Sequence, residues 1–250
     1  MATIYCFTST GNSLYAAKKI AAKIDGKVMS MKGGSAVTCT DDVIGFVFPI
    51  YFWGLPRLVE RFISQIHIEN KAAYVFAVAT FGGVGPGVPG IVKKLLEPKG
   101  VPLNYGARLK MADNYIPMYK PKDSEELRKK IDENLAEIAD AVSRKENSRI
   151  QACTFLNKLV YKSYPDERSD QFFTVSPDCT GCATCQKVCP ANNISMDAGK
   201  PGFLHNCENC FACLQCCPVS AIEWKDKTKG KQRFRNAGIT LDELISLNEN

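Results

Sequence analysis

The sequence predicts an α/β fold in which a doubly wound, five-stranded parallel sheet is followed by a small cysteine-rich α+β domain. Two observations support it. Short apolar runs alternate with helical patterns through residues 1–145, and nine of the 12 cysteines lie within residues 179–217. At 250 residues and 45% hydrophobic composition, the chain is long enough for one large core and a small second domain.

The predicted strands are short apolar runs, and most of them precede a helical pattern. Val43–Phe48 is almost continuously apolar, as is typical of a strand buried on both faces of a parallel sheet. Ser124–Arg144 places Leu127, Ile131 and Leu135 on one helical face. The predicted strands lie near residues 2–8, 27–31, 43–49, 73–80 and 107–113, and the predicted helices near 12–24, 56–66, 87–97, 123–144, 150–164 and 241–247.

A loop rich in hydroxyl groups separates the first strand from the first helix. It consists of Thr8, Ser9, Thr10, Gly11, Asn12 and Ser13. Free backbone N–H groups at a helix start attract anions, so the loop predicts a phosphate site, although an ordinary helix cap has the same residue types. The lack of a Walker lysine and of a Gly-x-Gly-x-x-Gly motif disfavours an ATPase or a dinucleotide site. A monophosphate held without a counter-cation indicates FMN.

Aromatic residues and glycines follow the next two buried strands. The carboxyl ends of parallel strands meet at the crevice where open α/β sheets bind ligands. Aromatic faces suit a planar isoalloxazine ring, and glycines let the backbone approach its edge. The alternative is that the aromatic side chains belong to the core. The candidate residues are Pro49, Tyr51, Phe52, Trp53 and Gly54 in one loop, and Thr80, Phe81, Gly82, Gly83 and Gly85 in the other.

The run Cys-x2-Cys-x2-Cys-x3-Cys-Pro occurs at positions 179–190 and is repeated at positions 207–218. In bacterial two-cluster proteins with this spacing, three close cysteines hold one [4Fe–4S] cluster and the fourth crosses to the other. Zinc sites more often use two separated Cys-x2-Cys pairs, and Met1–Thr10 lacks the export signal that would favour disulfides. Cluster one is expected to take Cys179, Cys182, Cys185 and Cys217, and cluster two Cys207, Cys210, Cys213 and Cys189.

The other cysteines and the two histidines have no predicted functional role. Scattered cysteines usually behave as small buried hydrophobes, and a lone histidine is a general-purpose residue. No Ser–His–Asp or Cys–His arrangement indicates hydrolysis. The sequence assigns no catalytic residues. The cysteines and histidines without a predicted role are Cys6, Cys39, Cys153, Cys216, His67 and His205.

With these motifs in place, residues 1–145 resemble a flavodoxin, and residues 173–224 resemble a bacterial two-[4Fe–4S] ferredoxin. The whole layout is similar to the flavodoxin–ferredoxin fusion proteins of anaerobic microbes. The resemblance implies the strand order 2-1-3-4-5 and an FMN phosphate held by Thr8 to Ser13. It also implies that Trp53 stacks on the flavin and that the Gly54 carbonyl faces flavin N5. The third loop, Phe81–Gly85, lacks the outer stacking tyrosine and the acidic residue of that family.

Four segments are expected: a flavodoxin-like FMN domain (1–145), a helical linker (146–172), a two-cluster ferredoxin domain (173–228) and a basic tail (229–250). The net charge of +6 is concentrated in Lys225–Arg235, which holds six basic residues and one acidic residue. This run is either a solvated tail or a docking site for an acidic ferredoxin. No nucleic-acid motif and no convincing membrane span accompany it, and a cytoplasmic location is expected.

These features predict an electron-transfer protein that relays electrons between two [4Fe–4S] clusters and FMN, with a ferredoxin as its partner. One alternative is an FMN-dependent reductase of a small molecule, fed by its own ferredoxin domain. The other is a docking module that has lost its flavin. Enzymatic activity, the direction of electron flow and the oligomeric state stay open at this point.

Overall fold

The computed structural model describes residues 1–32, 37–121 and 123–249. Its larger domain is a five-stranded sheet in which all neighbouring strands run parallel, in the order β2-β1-β3-β4-β5. The predicted doubly wound order is therefore confirmed, and the switch point lies between β1 and β3. The strands are β1 (Ala2–Cys6), β2 (Lys27–Ser30), β3 (Val43–Pro49), β4 (Tyr74–Phe81) and β5 (Tyr105–Lys110).

Helices cover both faces of the sheet, and each face has its own buried cluster of side chains. Phe46 and Phe48 of β3 pack on the face that carries Phe62, whereas Val47 packs on the face that carries Ile20. Because successive strand residues point to opposite faces, burial on both faces requires the continuous apolar run in the sequence. The helices are α1 (Asn12–Ile24), α2 (Arg57–Gln65), α3 (Pro89–Leu96) and α4 (Glu125–Ser143).

The helix boundaries differ from the prediction at a few positions. The helix predicted near 56–66 ends at Gln65, and His67 lies in a two-residue parallel pair of Thr38–Cys39 with His67–Ile68. The linker helix α5 (Phe155–Tyr161) is much shorter than the predicted 150–164. A capping box of Thr154 and Asn157 fixes its start.

The smaller domain contains two antiparallel strand pairs and two short helices. Strand β6 (Phe173–Val175) pairs with β9 (Ile222–Trp224), and β7 (Ile194–Asp197) pairs with β8 (Lys200–Phe203). The helices are α6 (Thr184–Lys187) and α7 (Ala212–Gln215), which occupy equivalent positions in the two cysteine repeats.

The repeat is also visible in the backbone conformation. Ala183 and Phe211, which are equivalent in the two repeats, both adopt left-handed dihedrals, with φ of 58° and 59°. Asn192 and Ser220 form a second such pair, with φ of 52° and 51°. Left-handed backbone is uncommon outside glycine, so its recurrence at equivalent positions indicates a duplicated structural unit.

The C-terminal segment returns to the larger domain and ends in helix α8 (Leu241–Glu249). The Asn236 backbone N–H donates to the Thr10 carbonyl at 2.8 Å, and its side-chain amide donates to the Asn12 side chain at 2.9 Å. Farther on, the Asn248 amide donates to the carbonyl of Val188, beside α6. The predicted basic tail is thus packed against both domains. Within the described ranges, no helix has the length and apolar character needed to cross a membrane.

Candidate functional site

A cavity of about 540 Å³ opens at the carboxyl ends of β1, β3, β4 and β5. We call it the main cavity. It brings together all but three of the positions that the sequence predicted as cofactor-binding. Among its described lining residues there is no Lys or Arg, and Asp113 is the one acidic side chain. The predicted positions that line it are Thr8, Ser9, Thr10, Asn12, Ser13, Pro49, Tyr51, Phe52, Trp53, Thr80, Phe81, Gly82 and Gly83.

The hydroxyl-rich loop forms the polar end of the main cavity. Gly11 has φ of 98° and precedes α1, whose first N–H groups have no partners within the helix. The loop is held in shape from inside, since the Gly11 N–H donates to Thr8 Oγ1 at 3.2 Å. Ser13 Oγ and Thr80 Oγ1 lie 2.8 Å apart, which joins this loop to the end of β4. The arrangement can receive an anion through backbone N–H groups and hydroxyls.

The aromatic loop forms a second wall. Phe52 and Trp53 both have positive φ, and the Asn157 side chain donates to the Trp53 carbonyl at 2.9 Å. The ring of Phe52 stacks on Tyr164, with centroids 5.3 Å apart and an interplanar angle of 18°. Burial raises the pKa of Tyr51 well above its ordinary value, so its phenol stays neutral. All three aromatic residues line the main cavity, and Tyr51 also packs against the core of the larger domain.

Three predicted residues do not line the main cavity. Gly11 packs under Ile239 of the C-terminal segment, and Gly85 packs against Ile50. Gly54 lies beneath the ring of Tyr161, and its carbonyl accepts the Tyr51 N–H at 3.1 Å. These glycines support the loops from behind, where a side chain would collide with a neighbour.

The loop after β5 contributes lining residues that lie outside the predicted cofactor-binding set. Asp113 and Tyr115 line the main cavity beside Phe81 and Gly82. They place an acidic group and a tyrosine next to the loop Phe81–Gly85, which itself contains neither. Burial raises the pKa of Tyr115 to about 12. The predicted strand order could have indicated these residues. Because β5 is parallel to its neighbour β4, the loop after β5 had to lie at the same edge of the sheet as the loop after β4.

The smaller domain contains two cavities of about 20 Å³, each lined by one predicted set of four cysteines. Among the described residues, no three Cys, His, Asp or Glu side chains could hold a single metal ion. Each set of thiols therefore surrounds a space and does not converge on one point. The first cysteine cavity is lined by Cys179, Cys182, Cys185 and Cys217, and the second cysteine cavity by Cys189, Cys207, Cys210 and Cys213.

Backbone N–H groups point at several of these sulfur atoms. The N–H groups of Asn193 and Ala221 donate to Cys189 Sγ and Cys217 Sγ, both at 3.3 Å, at equivalent positions of the two repeats. Burial raises the pKa of the Cys207 thiol to about 12 and that of Cys185 to about 11. Iron binds thiolates, so loading either cavity must displace protons, and the N–H donors would then stabilise the negative sulfur atoms.

The remaining cysteines and histidines lie outside these cavities. Cys6 and Cys39 are buried as predicted, whereas Cys153, for which burial was also predicted, is only partly buried. Cys216 is buried as well. His205 is exposed, and its Nδ1 lies 2.7 Å from the buried carboxylate of Asp170.

The main cavity and the second cysteine cavity share a wall. Cys210 and Phe211 line both of them, and Asn209 also reaches the main cavity. The first cysteine cavity has no described lining residue in common with either. The three cavities are thus ordered, with the second cysteine cavity next to the main cavity. Sequence patterns within one domain could not have placed Cys210 beside a loop of the other.

Comparison with protein families assigns the smaller domain. Residues 173–232 match the family described as 4Fe-4S dicluster domain. This match and the sheet order together give a flavodoxin-like fold joined to a ferredoxin-like domain, as in flavodoxin–ferredoxin fusions. The dicluster match supports an electron-transfer role. No curated protein gave a match.

Solved structures similar to the chain include several flavoproteins. A putative flavoprotein from Bacteroides uniformis ATCC 8492 is 20% identical, with a TM-score of 0.35, over 45% of this chain and 90% of its own. The two-electron reduced flavodoxin of Megasphaera elsdenii is 18% identical, with a TM-score of 0.34, over 43% and 85%. An azoreductase from Bacillus anthracis str. Sterne is 12% identical, with a TM-score of 0.40, over 58% and 100%.

Proposed function

We propose that the chain relays electrons between two [4Fe–4S] clusters and one FMN. The observation that carries the proposal is the wall that Cys210 and Phe211 form between the main cavity and the second cysteine cavity. A shared wall keeps two redox groups close without any movement of one domain against the other. The electron path would run from the first cysteine cavity, through the second, to the main cavity, or in the reverse direction.

The lining of the main cavity supports FMN as its ligand. Thr8, Thr10 and Ser13 would hold the phosphate together with the free N–H groups at the start of α1. Trp53 offers an aromatic face, and Gly82 lets the backbone approach the ring edge. The absence of Lys and Arg from the described lining suits a monophosphate better than a pyrophosphate. FMN, when bound, exchanges electrons singly or in pairs.

The two cysteine cavities support one [4Fe–4S] cluster each. Three close cysteines and one from the other repeat surround each cavity, which is the crossed ligation of bacterial two-cluster ferredoxins. The first cysteine cavity lies nearer to solvent, since Cys182 is exposed and Val219 is 43% exposed. This cavity is therefore the proposed point of exchange with an external electron donor.

The basic run Lys225–Arg235 begins near that point. Lys225 follows Trp224 of β9, and Ile222 of the same strand lines the first cysteine cavity. Part of the run is already engaged, because Arg233 pairs with Glu223 and Lys231 donates to the Ile116 carbonyl. Other cations of the run, Lys227, Lys229 and Arg235, are exposed. They would steer an acidic ferredoxin towards the first cysteine cavity.

The test uses the anaerobically loaded protein with a reduced two-cluster ferredoxin as donor. Flavin and iron are counted first, and one flavin per chain is expected from the single phosphate loop. Reduction of the flavin is then followed by its absorbance in the wild type and in Cys213→Ala. Cys213 lines the second cysteine cavity but not the main cavity. We expect the variant to retain flavin and to lose reduction by ferredoxin, while dithionite still reduces it directly.

Two results would count against the relay. A wild-type protein with no flavin would favour the docking module, and a flavin reduced at the wild-type rate in Cys213→Ala would mean that electrons bypass the second cysteine cavity. A reductase of a small molecule is the second candidate, because Trp53, Phe81 and Tyr115 line one cavity of a volume that suits small-molecule sites. Turnover of a small acceptor in the presence of reduced ferredoxin would distinguish it from the relay.

A further inference from the structure

An ordinary surface helix buries its apolar side chains and exposes its polar ones. The short helix α5 does the reverse. Its polar residue Asn157 is 1% exposed, whereas Phe155 is 80% exposed and Leu156 and Leu159 are 51% and 52% exposed. Three large apolar side chains on consecutive turns therefore face away from the protein. Single exposed apolar residues are common, but a contiguous group of them marks an interaction site.

Other side chains of α5 hold the helix against the larger domain, although Phe155, Leu156 and Leu159 point outward. The Asn157 amide donates to the carbonyls of Trp53 and Pro86, at 2.9 and 2.6 Å. Tyr161 donates to the Leu55 carbonyl at 2.7 Å and covers Gly54. Polar and aromatic contacts thus anchor the helix to the loops of the main cavity, and the outward apolar face makes no contribution to this anchoring.

Residues that follow this apolar face in the chain reach the main cavity. Val160, in the last turn of α5, and Ser163, in the turn after it, line that cavity. Val84, Met118 and Tyr119 line it as well, although they are 67%, 65% and 47% exposed. We define the mouth face as Val84, Met118, Tyr119, Phe155, Leu156 and Leu159. Three exposed lysines, Lys120, Lys158 and Lys162, adjoin these residues in the sequence.

We propose that the mouth face is the docking surface for a small acidic electron-carrier protein that exchanges electrons at the main cavity. The inference rests on the proposed function, and it names the partner that exchanges electrons at the main cavity. The lysines favour an acidic partner and would raise its rate of encounter. Phenylalanine, tyrosine and methionine are enriched in the cores of protein interfaces. A second copy of the chain is disfavoured, because a two-fold contact would bring the same lysines together.

Binding is measured with an oxidised rubredoxin, a small acidic one-iron carrier, by calorimetry at low ionic strength on the fully loaded protein. The apolar variant is Phe155→Ser/Leu159→Ser, neither residue of which lines the main cavity. The charge variant is Lys158→Glu/Lys162→Glu. Leu204→Ser is the matched control, since Leu204 is 55% exposed on the smaller domain. We expect Kd to rise by about tenfold or more in both variants and to stay unchanged in the control.

Electron exchange gives a second readout. One electron leaves the reduced, loaded protein and converts the ferric iron of rubredoxin to ferrous iron. This rate should fall about tenfold in the apolar variant at every salt concentration, whereas the deficit of the charge variant should disappear at high salt. Oxidation by benzoquinone, which needs no docking surface, should be the same in all proteins.

Three results would overturn the proposal. The first is binding of rubredoxin by both variants with the wild-type Kd. The second is reduction of the basic protein cytochrome c at low salt as fast as the reduction of rubredoxin. The third is binding of the wild type, but not of Phe155→Ser/Leu159→Ser, to vesicles of anionic phosphatidylglycerol without rubredoxin binding, which would assign the face to a membrane surface. Failure of the relay itself is separate, because it would appear as loss of flavin reduction by ferredoxin in the wild type.

Discussion

Replacement of Arg57 by alanine should destabilise the junction between the two domains. Arg57 lies in α2 of the larger domain, but its guanidinium reaches the loops that lead into the smaller one. It donates to the Pro165 carbonyl at 2.8 Å and to the Cys207 carbonyl at 2.9 Å. The same group lies over the ring of Tyr164, 4.1 Å from its centroid. One side chain thus joins α2, the linker and a cluster-binding loop.

The magnitude follows from these contacts. Each hydrogen bond from a charged group contributes about 1.5–3 kcal/mol, and a cation–π contact about 1 kcal/mol. Part of this is recovered when water reaches the freed carbonyls, so we expect a net loss of about 3–5 kcal/mol on Arg57→Ala. For a chain of this size, each kcal/mol corresponds to about 2–4 °C in melting temperature. The expected decrease is therefore roughly 6–20 °C.

Differential scanning calorimetry of the loaded protein under anaerobic conditions measures this decrease. Arg128→Ala is the matched control, because Arg128 also makes two hydrogen bonds, to Asp123, but it is exposed and its partner is local. We expect that variant to melt within about 2 °C of the wild type, since exposed ion pairs contribute little. If Arg57→Ala melted as close to the wild type as Arg128→Ala does, the assignment of Arg57 to a stabilising interdomain contact would be wrong.

Two further predictions concern the cavities. A methyl group on Gly82 would approach the Asp113 Cα to less than 3.0 Å, whereas a methyl group on Gly83 would have its nearest neighbour 3.7 Å away. Gly82→Ala should therefore lower the free energy of unfolding by about 1–3 kcal/mol and weaken FMN binding. Gly83→Ala should change neither quantity. Calorimetry and flavin titration measure both effects, and equal behaviour of the two variants would contradict the packing argument. Cys185→Ala should remove about half of the iron and leave the flavin count unchanged, because Cys185 lines the first cysteine cavity and neither of the other two cavities. Iron and flavin analysis tests this, and loss of both cofactors would show that the domains do not load independently.

Local patterns predicted the fold and most of the main cavity because the responsible interactions are local. The run Val43–Phe48 had to be buried on both faces, and the hydroxyl-rich loop had to lie where β1 meets α1. Each of the two cysteine sets expected from the duplicated spacing also lines a single cavity. Most of the predicted binding positions line the main cavity, and the exceptions are glycines that support its loops.

Other features depend on contacts between distant segments, which no local pattern encodes. The outward apolar face of α5 contradicts the helical periodicity by which sequence patterns recognise surface helices, and it exists because Asn157 is bonded to two loops of the larger domain. The contact of Asn236 with the hydroxyl-rich loop is similar, because it joins segments from opposite ends of the chain. A solvated tail was one of the two interpretations of the basic run, and the segment that follows this run is bonded to the hydroxyl-rich loop.

The contacts across the junction bear on how the two domains work together. Domains joined by a linker move relative to each other by default unless their interface is extensive. Here Gln215 of α7 donates to the Asn114 carbonyl at 2.9 Å, beside the main cavity, and its side-chain carbonyl oxygen accepts the Phe234 N–H. The helix that follows Cys210 is therefore bonded to the loop after β5 and to the C-terminal segment. Since Arg57 holds the Cys207 end of the same cysteine run, the shared wall of the two cavities is held on both flanks. The spacing of the two cavities is then a property of the fold, and the proposed electron exchange between them needs no hinge motion.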